Sequence, residues 1–118
     1  MKIGVPKEIK PQETRIGLTP ESVKTLVGEG HEVLVENNSG YEAGFENSHY
    51  TSAGAKIIDK AEDIFNDSEI IVKVKEPLLN EVKMIRENQI LFTYLHPAAA
   101  KELTQGLINS KGICIAYE

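Results

Sequence analysis

The chain has 118 residues, 41% hydrophobic and 26% charged, and its 13 Lys and Arg against 18 Asp and Glu give a net charge of −5. That length carries one domain with a core of its own, and the acidic balance, with no basic cluster beyond two neighbours, argues against a nucleic-acid surface. The single Cys114 excludes an internal disulfide framework and fits a reducing compartment, and no apolar run approaches the roughly 20 residues of a membrane helix.

Met1-Lys2-Ile3-Gly4-Val5-Pro6 has an apolar run too short and too broken for a signal peptide, so the expected location is cytoplasmic. Lys2–Val5 reads as a first strand, and Lys7 to Leu18, polar and aperiodic with Pro11, reads as a loop. Thr19-Pro20-Glu21-Ser22 opens a helix: Thr19 can cap, Pro20 suits the first helical position, and Glu21 complements the positive end of the dipole. Leu18 and Val23 can form a hydrophobic staple, Val23, Leu26 and Val27 make the core stripe, and Gly28 or Gly30 ends the helix. His31–Glu36 alternates as a second strand.

Asn37–Gly44 is turn-rich, and Glu46–Ala53 is a short helix expected to be capped by the Asn47/Ser48 region and to end at Gly54. Ala55–Ile58 is a small strand, and Lys60–Asn66 is a helix with Ile64 and Phe65 inward. Ile70–Val74 and Gln89–Tyr94 are strands flanking Leu78–Glu87, read as mostly helical with Leu79, Val82 and Ile85 inward. Ala98–Ser110 is a helix striped by Leu103, Leu107 and Ile108 and ended by Lys111-Gly112, and Ile113–Ala116 is a last strand. Strands alternating with helices predict an α/β fold: one domain with a doubly wound, mainly parallel, flavodoxin-like or Rossmann-like sheet in three α/β/α layers. A terminal strand with almost no polar tail is expected of a chain cut from a longer protein.

Ile70–Val74 and Ile90–Tyr94 lack polar alternation, as strands buried on both faces do. Each ends in charge and proline, at Lys75-Glu76-Pro77 and at His96-Pro97. Ligands of open α/β sheets bind outside the carboxyl ends of strands, which puts Lys75 and His96 where chemistry usually happens. Lys75 reads as a cation for a carboxylate or carbonyl, or as a solvated strand end. Lys73, on the same face by strand alternation, sits in an apolar run, so one of the two lysines needs a partner. His96 can give and take a proton near neutral pH, or it is a loop or capping histidine. Arg15, in Glu13-Thr14-Arg15, can clamp a carboxylate through its planar fork, or it is a surface arginine. His31 and His49 read as surface residues, and no metal-ligand spacing links the three histidines and the cysteine. Gly28-Glu29-Gly30 follows a helix, so it is no dinucleotide fingerprint.

Together these pieces are familiar. Ile3-Gly4-Val5-Pro6-Lys7-Glu8, Glu13-Thr14-Arg15, Leu18-Thr19-Pro20, Gly30-His31-Glu32-Val33, Lys73-Val74-Lys75-Glu76-Pro77, Leu91-Phe92-Thr93-Tyr94-Leu95-His96 and Ala116-Tyr117-Glu118 are similar, in order and spacing, to the amino-terminal domain of alanine dehydrogenases. The resemblance implies a two-domain enzyme in which residues 1–118 are the substrate and catalytic domain, while a Rossmann domain absent from this chain binds NAD. It implies reversible oxidative deamination of L-alanine to pyruvate and ammonia, in a full-length homo-oligomer, and an isolated domain that turns nothing over. Arg15 and Lys75 are then substrate-holding cations, with Lys75 also polarising the carbonyl, and His96 is the general acid/base. The domain also resembles that of proton-translocating nicotinamide nucleotide transhydrogenases, which share the Glu-Thr-Arg segment and the Lys73-Val74 pair. Those enzymes typically lack the lysine at position 75 and have tryptophan where His96 stands, although Pro97-Ala98-Ala99 resembles their tryptophan-proline-alanine run.

Overall fold

The computed structural model describes residues 1–10, 12–93 and 108–116. The strands are β1 (Lys2–Val5), β2 (Glu32–Glu36), β3 (Lys56–Ile58), β4 (Ile70–Val72), β5 (Ile90–Thr93) and β6 (Ile113–Ala116). They form one sheet in the order β3-β2-β1-β4-β5-β6, and every pairing is parallel. The helices between them are α1 (Pro20–Gly28), α2 (Asn47–Ser52), α3 (Ala61–Asp67) and α4 (Leu79–Val82), with a 3₁₀ turn at Tyr41–Ala43.

Strand alternation sorts the core onto two faces. Ile3, Val5, Val33 and Val35 pack with Val23 of α1, Tyr50 of α2 and Ala55 on one side. Leu34, Ile71 and Leu91 pack with Ile64 and Phe65 of α3 and with Ile85 on the other. This is the expected three-layer, doubly wound architecture. Gly4 points at the second face, where a Cβ would lie 2.1 Å from Ser68 Oγ and 2.8 Å from Ile64 Cγ2. Its lack of a side chain lets α3 lie close against β1.

Most expected elements are present. Thr19 Oγ1 accepts from the Ser22 N–H, Pro20 takes the first helical position, and Leu18 joins Val23 in the core below. Ile64 and Phe65 are fully buried. Other expectations need correcting. The cap of α2 is Glu46, which exchanges bonds with His49, while Asn47 instead joins the preceding loop through Asn37 and the Asn38 N–H. The helix expected over Leu78–Glu87 stops at Val82: the Met84 and Ile85 N–H groups bond three residues back, to the Glu81 and Val82 carbonyls, and the Arg86 N–H then donates to Gln89 Oε1. Val82 and Ile85 are buried as expected, but Leu79 on that short turn is 49% exposed. Gln89 donates on to the carbonyls of Phe65 and Ser68 at 2.6 and 2.8 Å, which ties this turn to the end of α3. Residues 108–110 are helical and Lys111 turns the chain with φ 59°, but Ile108, expected inward, is exposed at the last turn before edge strand β6. The other residues expected in that helix, Leu103 and Leu107 among them, and Tyr94, expected in a strand, lie outside the described residues. His49 is at the surface, whereas His31, expected there too, is half-buried with no partner for Nδ1 among the described residues. No helix among the described residues is long and apolar enough to cross a membrane.

Candidate functional site

The strand order reverses between β1 and β4: β2 and β3 lie to one side, β5 and β6 to the other. At such a switch point the loops leaving the carboxyl ends diverge and open a crevice. Here the walls are residues 6–10 and 12–18 after β1 and residues 73–78 after β4. Gly17 allows them to meet, since a Cβ there would lie 2.6 Å from the Val72 carbonyl oxygen.

The floor of the crevice is a buried polar network. Lys73 is 1% exposed, and its Nζ lies 3.3 Å from Glu8 Oε1 and 3.2 Å from Glu81 Oε2. Glu8 also accepts two backbone bonds, from the Val74 N–H to Oε2 and from the Lys75 N–H to Oε1, both at 3.1 Å. Consecutive amides aimed at one carboxylate cannot belong to an extended strand, whose N–H groups alternate in direction. This explains why β4 ends at Val72, earlier than Val74, and why Lys73 and Lys75 do not share a face: Lys73 turns into the protein while Lys75 stays half-exposed. The other side of the Lys75 peptide is held too, because Thr93 Oγ1, buried at the end of β5, donates to the Lys75 carbonyl at 2.8 Å. Glu81 is fixed by the Leu78 N–H at 3.0 Å. Glu36, at the end of β2, accepts from the Lys7 N–H at 3.0 Å. Burial pushes its carboxyl above the ordinary carboxylate range, and nearby Glu81 adds to that rise.

Above this floor stands Arg15. Its Nε and Nη2 donate to the two oxygens of Glu13 at 3.0 and 2.9 Å, and its own N–H donates to Glu13 Oε2 at 2.8 Å. This two-point clamp fixes the plane of an otherwise exposed guanidinium. It holds the Glu13 carboxyl below its ordinary value, and the Lys75 ammonium adds a smaller pull in the same direction. Arg15 and Lys75, from different walls, therefore both act on Glu13. Lys10 pairs with Glu76 across the same gap. A cavity of about 160 Å³ opens beside the loop, lined by residues including Glu8, Glu13, Arg15, Asn38 and Ser39. Ser39 Oγ is buried without a partner among the described residues. His96, the third expected site residue, lies outside the described residues.

The expectation of one partnered lysine holds, for Lys73. Its partners Glu8 and Glu81, and the clamp residues Glu13 and Thr93, were not singled out as chemistry-bearing residues. A signal for Glu8 did exist: a lysine in an apolar run needs a carboxylate, and parallel topology brings the segment after β1 beside the segment after β4.

A family model described as "Alanine dehydrogenase/PNT, N-terminal domain" matches residues 4–118. The chain belongs to this family. An alanine dehydrogenase of Staphylococcus epidermidis is 53% identical over the whole chain, which covers 32% of that relative. A solved L-alanine dehydrogenase superposes with a TM-score of 0.97 at 52% identity, over all of this chain and 32% of that one. A transhydrogenase from Sinorhizobium meliloti superposes at 0.91 with 26% identity, over 98% of this chain and 34% of that one. The chain therefore spans about a third of the length of these relatives.

Residues 6–19 separate β1 from α1, so no helix N-terminus follows that strand directly, and the buried carboxylate of Glu8 takes the Val74 and Lys75 amides after β4. No glycine fingerprint follows β1. Among the described residues no three His, Cys, Asp or Glu side chains converge to hold a metal.

Proposed function

We propose that this chain is the N-terminal substrate domain of an NAD-dependent L-alanine dehydrogenase, which interconverts L-alanine with pyruvate and ammonia as a cytoplasmic homo-oligomer. The observation that carries the reading is the placement of Arg15 on the segment after β1 and Lys75 on the segment after β4, the two sides of the switch point, in a chain half identical to alanine dehydrogenases.

Pyruvate has a carboxylate and a carbonyl on adjacent carbons, and the crevice has two cations of different character for them. Arg15, its plane set by Glu13, is suited to a carboxylate, which accepts parallel hydrogen bonds. Lys75 is a compact charge, suited to the oxygen that gathers negative charge as ammonia adds to the carbonyl. His96, three residues beyond Thr93, is assigned the proton transfers that the carbinolamine and imine steps require. NAD is assigned to the part of the enzyme outside this chain, and no residue here is given a role in the hydride step. Residues 1–118 alone are expected to bind pyruvate weakly and to turn nothing over.

The test is NADH consumption by the full-length protein supplied with pyruvate and ammonium. Turnover that falls about 100-fold or more in kcat/KM with Lys75→Ala supports the reading. Hydride exchange between nicotinamide nucleotides, with no dependence on pyruvate, would replace it with the transhydrogenase alternative. That alternative is disfavoured by the presence of Lys75 and His96 together.

A further inference from the structure

Among the described residues, the buried network beneath the crevice reaches the backbone of Lys75, one of the proposed substrate cations. The peptide groups on both sides of Lys75 are pinned by side chains from the segment after β1 and from the end of β5. Its N–H donates to Glu8 Oε1 at 3.1 Å, after β1, and its carbonyl accepts from Thr93 Oγ1 at 2.8 Å, at the end of β5. The preceding amide, of Val74, donates to the other oxygen of Glu8 at 3.1 Å. Glu8 is itself held by Lys73 Nζ, and Lys73 by Glu81. Glu8 and Thr93 are buried, at 7% and 0% exposed, while Lys75 is half-exposed.

We infer that Glu8 and Thr93 are positioning residues for Lys75: together they fix the backbone from which its ammonium reaches the substrate. This rests on the proposed reading of Lys75 as a substrate-holding cation. The physical reason lies in the side chain. Lysine is a point charge on a flexible four-carbon stem, so it cannot align itself as a guanidinium fork does. Whatever precision its ammonium has must come from a fixed Cα. The ladder to β5 runs as far as the Lys73 N–H, which donates to the Phe92 carbonyl at 3.0 Å, and beyond it Glu8 and Thr93 hold the backbone of Val74 and Lys75. Glu8 also links the two walls of the crevice, because it leaves β1 on the segment that leads to Arg15 while its carboxylate holds the segment bearing Lys75. A small misplacement of a positioning group costs rate steeply, so these bonds matter more to catalysis than to the fold.

The experiment is a double-mutant cycle in the full-length enzyme, read as pyruvate KM and kcat. Thr93→Val removes only the hydroxyl and keeps the shape, and Glu8→Gln keeps the length but not the charge. Each is expected to raise KM for pyruvate about tenfold; the melting temperature stays native-like in Thr93→Val and falls in Glu8→Gln, which weakens the buried pairing of Lys73. In a Lys75→Ala background the same changes are expected to add nothing, since there is no ammonium left to aim. Additive losses in that background would overturn the inference, as would an unchanged KM in Thr93→Val. If Glu8→Gln does not fold, the Thr93→Val cycle decides alone. Failure of the underlying reading looks different: Lys75→Ala by itself would leave pyruvate kinetics unchanged.

Discussion

The two ends of the sheet use the same residue types to opposite effect. At the amino ends of the strands, Glu32 sits between Lys2 at 3.8 Å and Lys56 at 2.7 Å, with every side chain at least 34% exposed. At the carboxyl ends, Lys73 sits between Glu8 and Glu81 with every side chain at most 4% exposed. In water, long side chains spend entropy to hold a pair and salt screens what they gain, so the first triad contributes little. In the interior, each charge has lost its hydration and depends on its partner, so removing one member strands the others. The exposed triad lies on the solvated rim of the sheet. The buried triad lies under the crevice and passes its geometry to Lys75. Similar charge patterns in sequence therefore say little until topology decides which are desolvated.

Breaking the buried triad should give the largest effect. Lys73→Met would leave Glu8 and Glu81 without their shared cation and is expected to cost about 3–5 kcal/mol by denaturant titration. Replacing all three members by apolar or amide residues should recover much of that loss, which separates stranded charge from lost packing. Next is Gly17→Val, which would press a side chain onto the Val72 carbonyl and push the two walls apart. A loss of about 1–3 kcal/mol in the same titration is expected, with a raised pyruvate KM in the full-length protein.

Smaller is the effect of Glu36→Gln. Burial raises the folded-state value of Glu36 above its ordinary 4.5, so the native state holds its proton more tightly than the unfolded chain does. Stability from this group is then present at low pH and lost as pH rises through the folded value. The variant should be more stable than the native protein at neutral pH, and that advantage should vanish as pH falls below 4.5, as thermal melts across the range would show. The smallest effect is predicted for Glu32→Gln, which should leave the melting temperature unchanged at moderate salt. A large loss there would erase the contrast between the two ends.

Much of this fold was legible. The apolar runs at Ile3, Val33, Ile71 and Leu91 gave the strands, and alternation with helices gave the parallel sheet. Thr19-Pro20 fixed the start of α1. Two local readings failed because backbone amides found other acceptors. Past Val82 the Met84 and Ile85 amides turn to carbonyls three residues back and the Arg86 N–H goes to Gln89, while Glu8, distant in sequence, takes the Val74 and Lys75 amides beyond β4. Periodicity has no access to such captures. In the site, Arg15 and Lys75 were reachable from position and from resemblance, since both follow strands at the ligand side. Glu8 and Thr93 were not, because their work is done on another residue's backbone.

We propose that the substrate site lies at the carboxyl end of the sheet, at the β1–β4 switch point. It is tested most directly by steady-state amination of pyruvate in the full-length protein, comparing Lys75→Ala with Lys56→Ala at the opposite end. A loss of about 100-fold or more in kcat/KM for the first and no change for the second is the predicted result. Native kinetics with Lys75→Ala would contradict it.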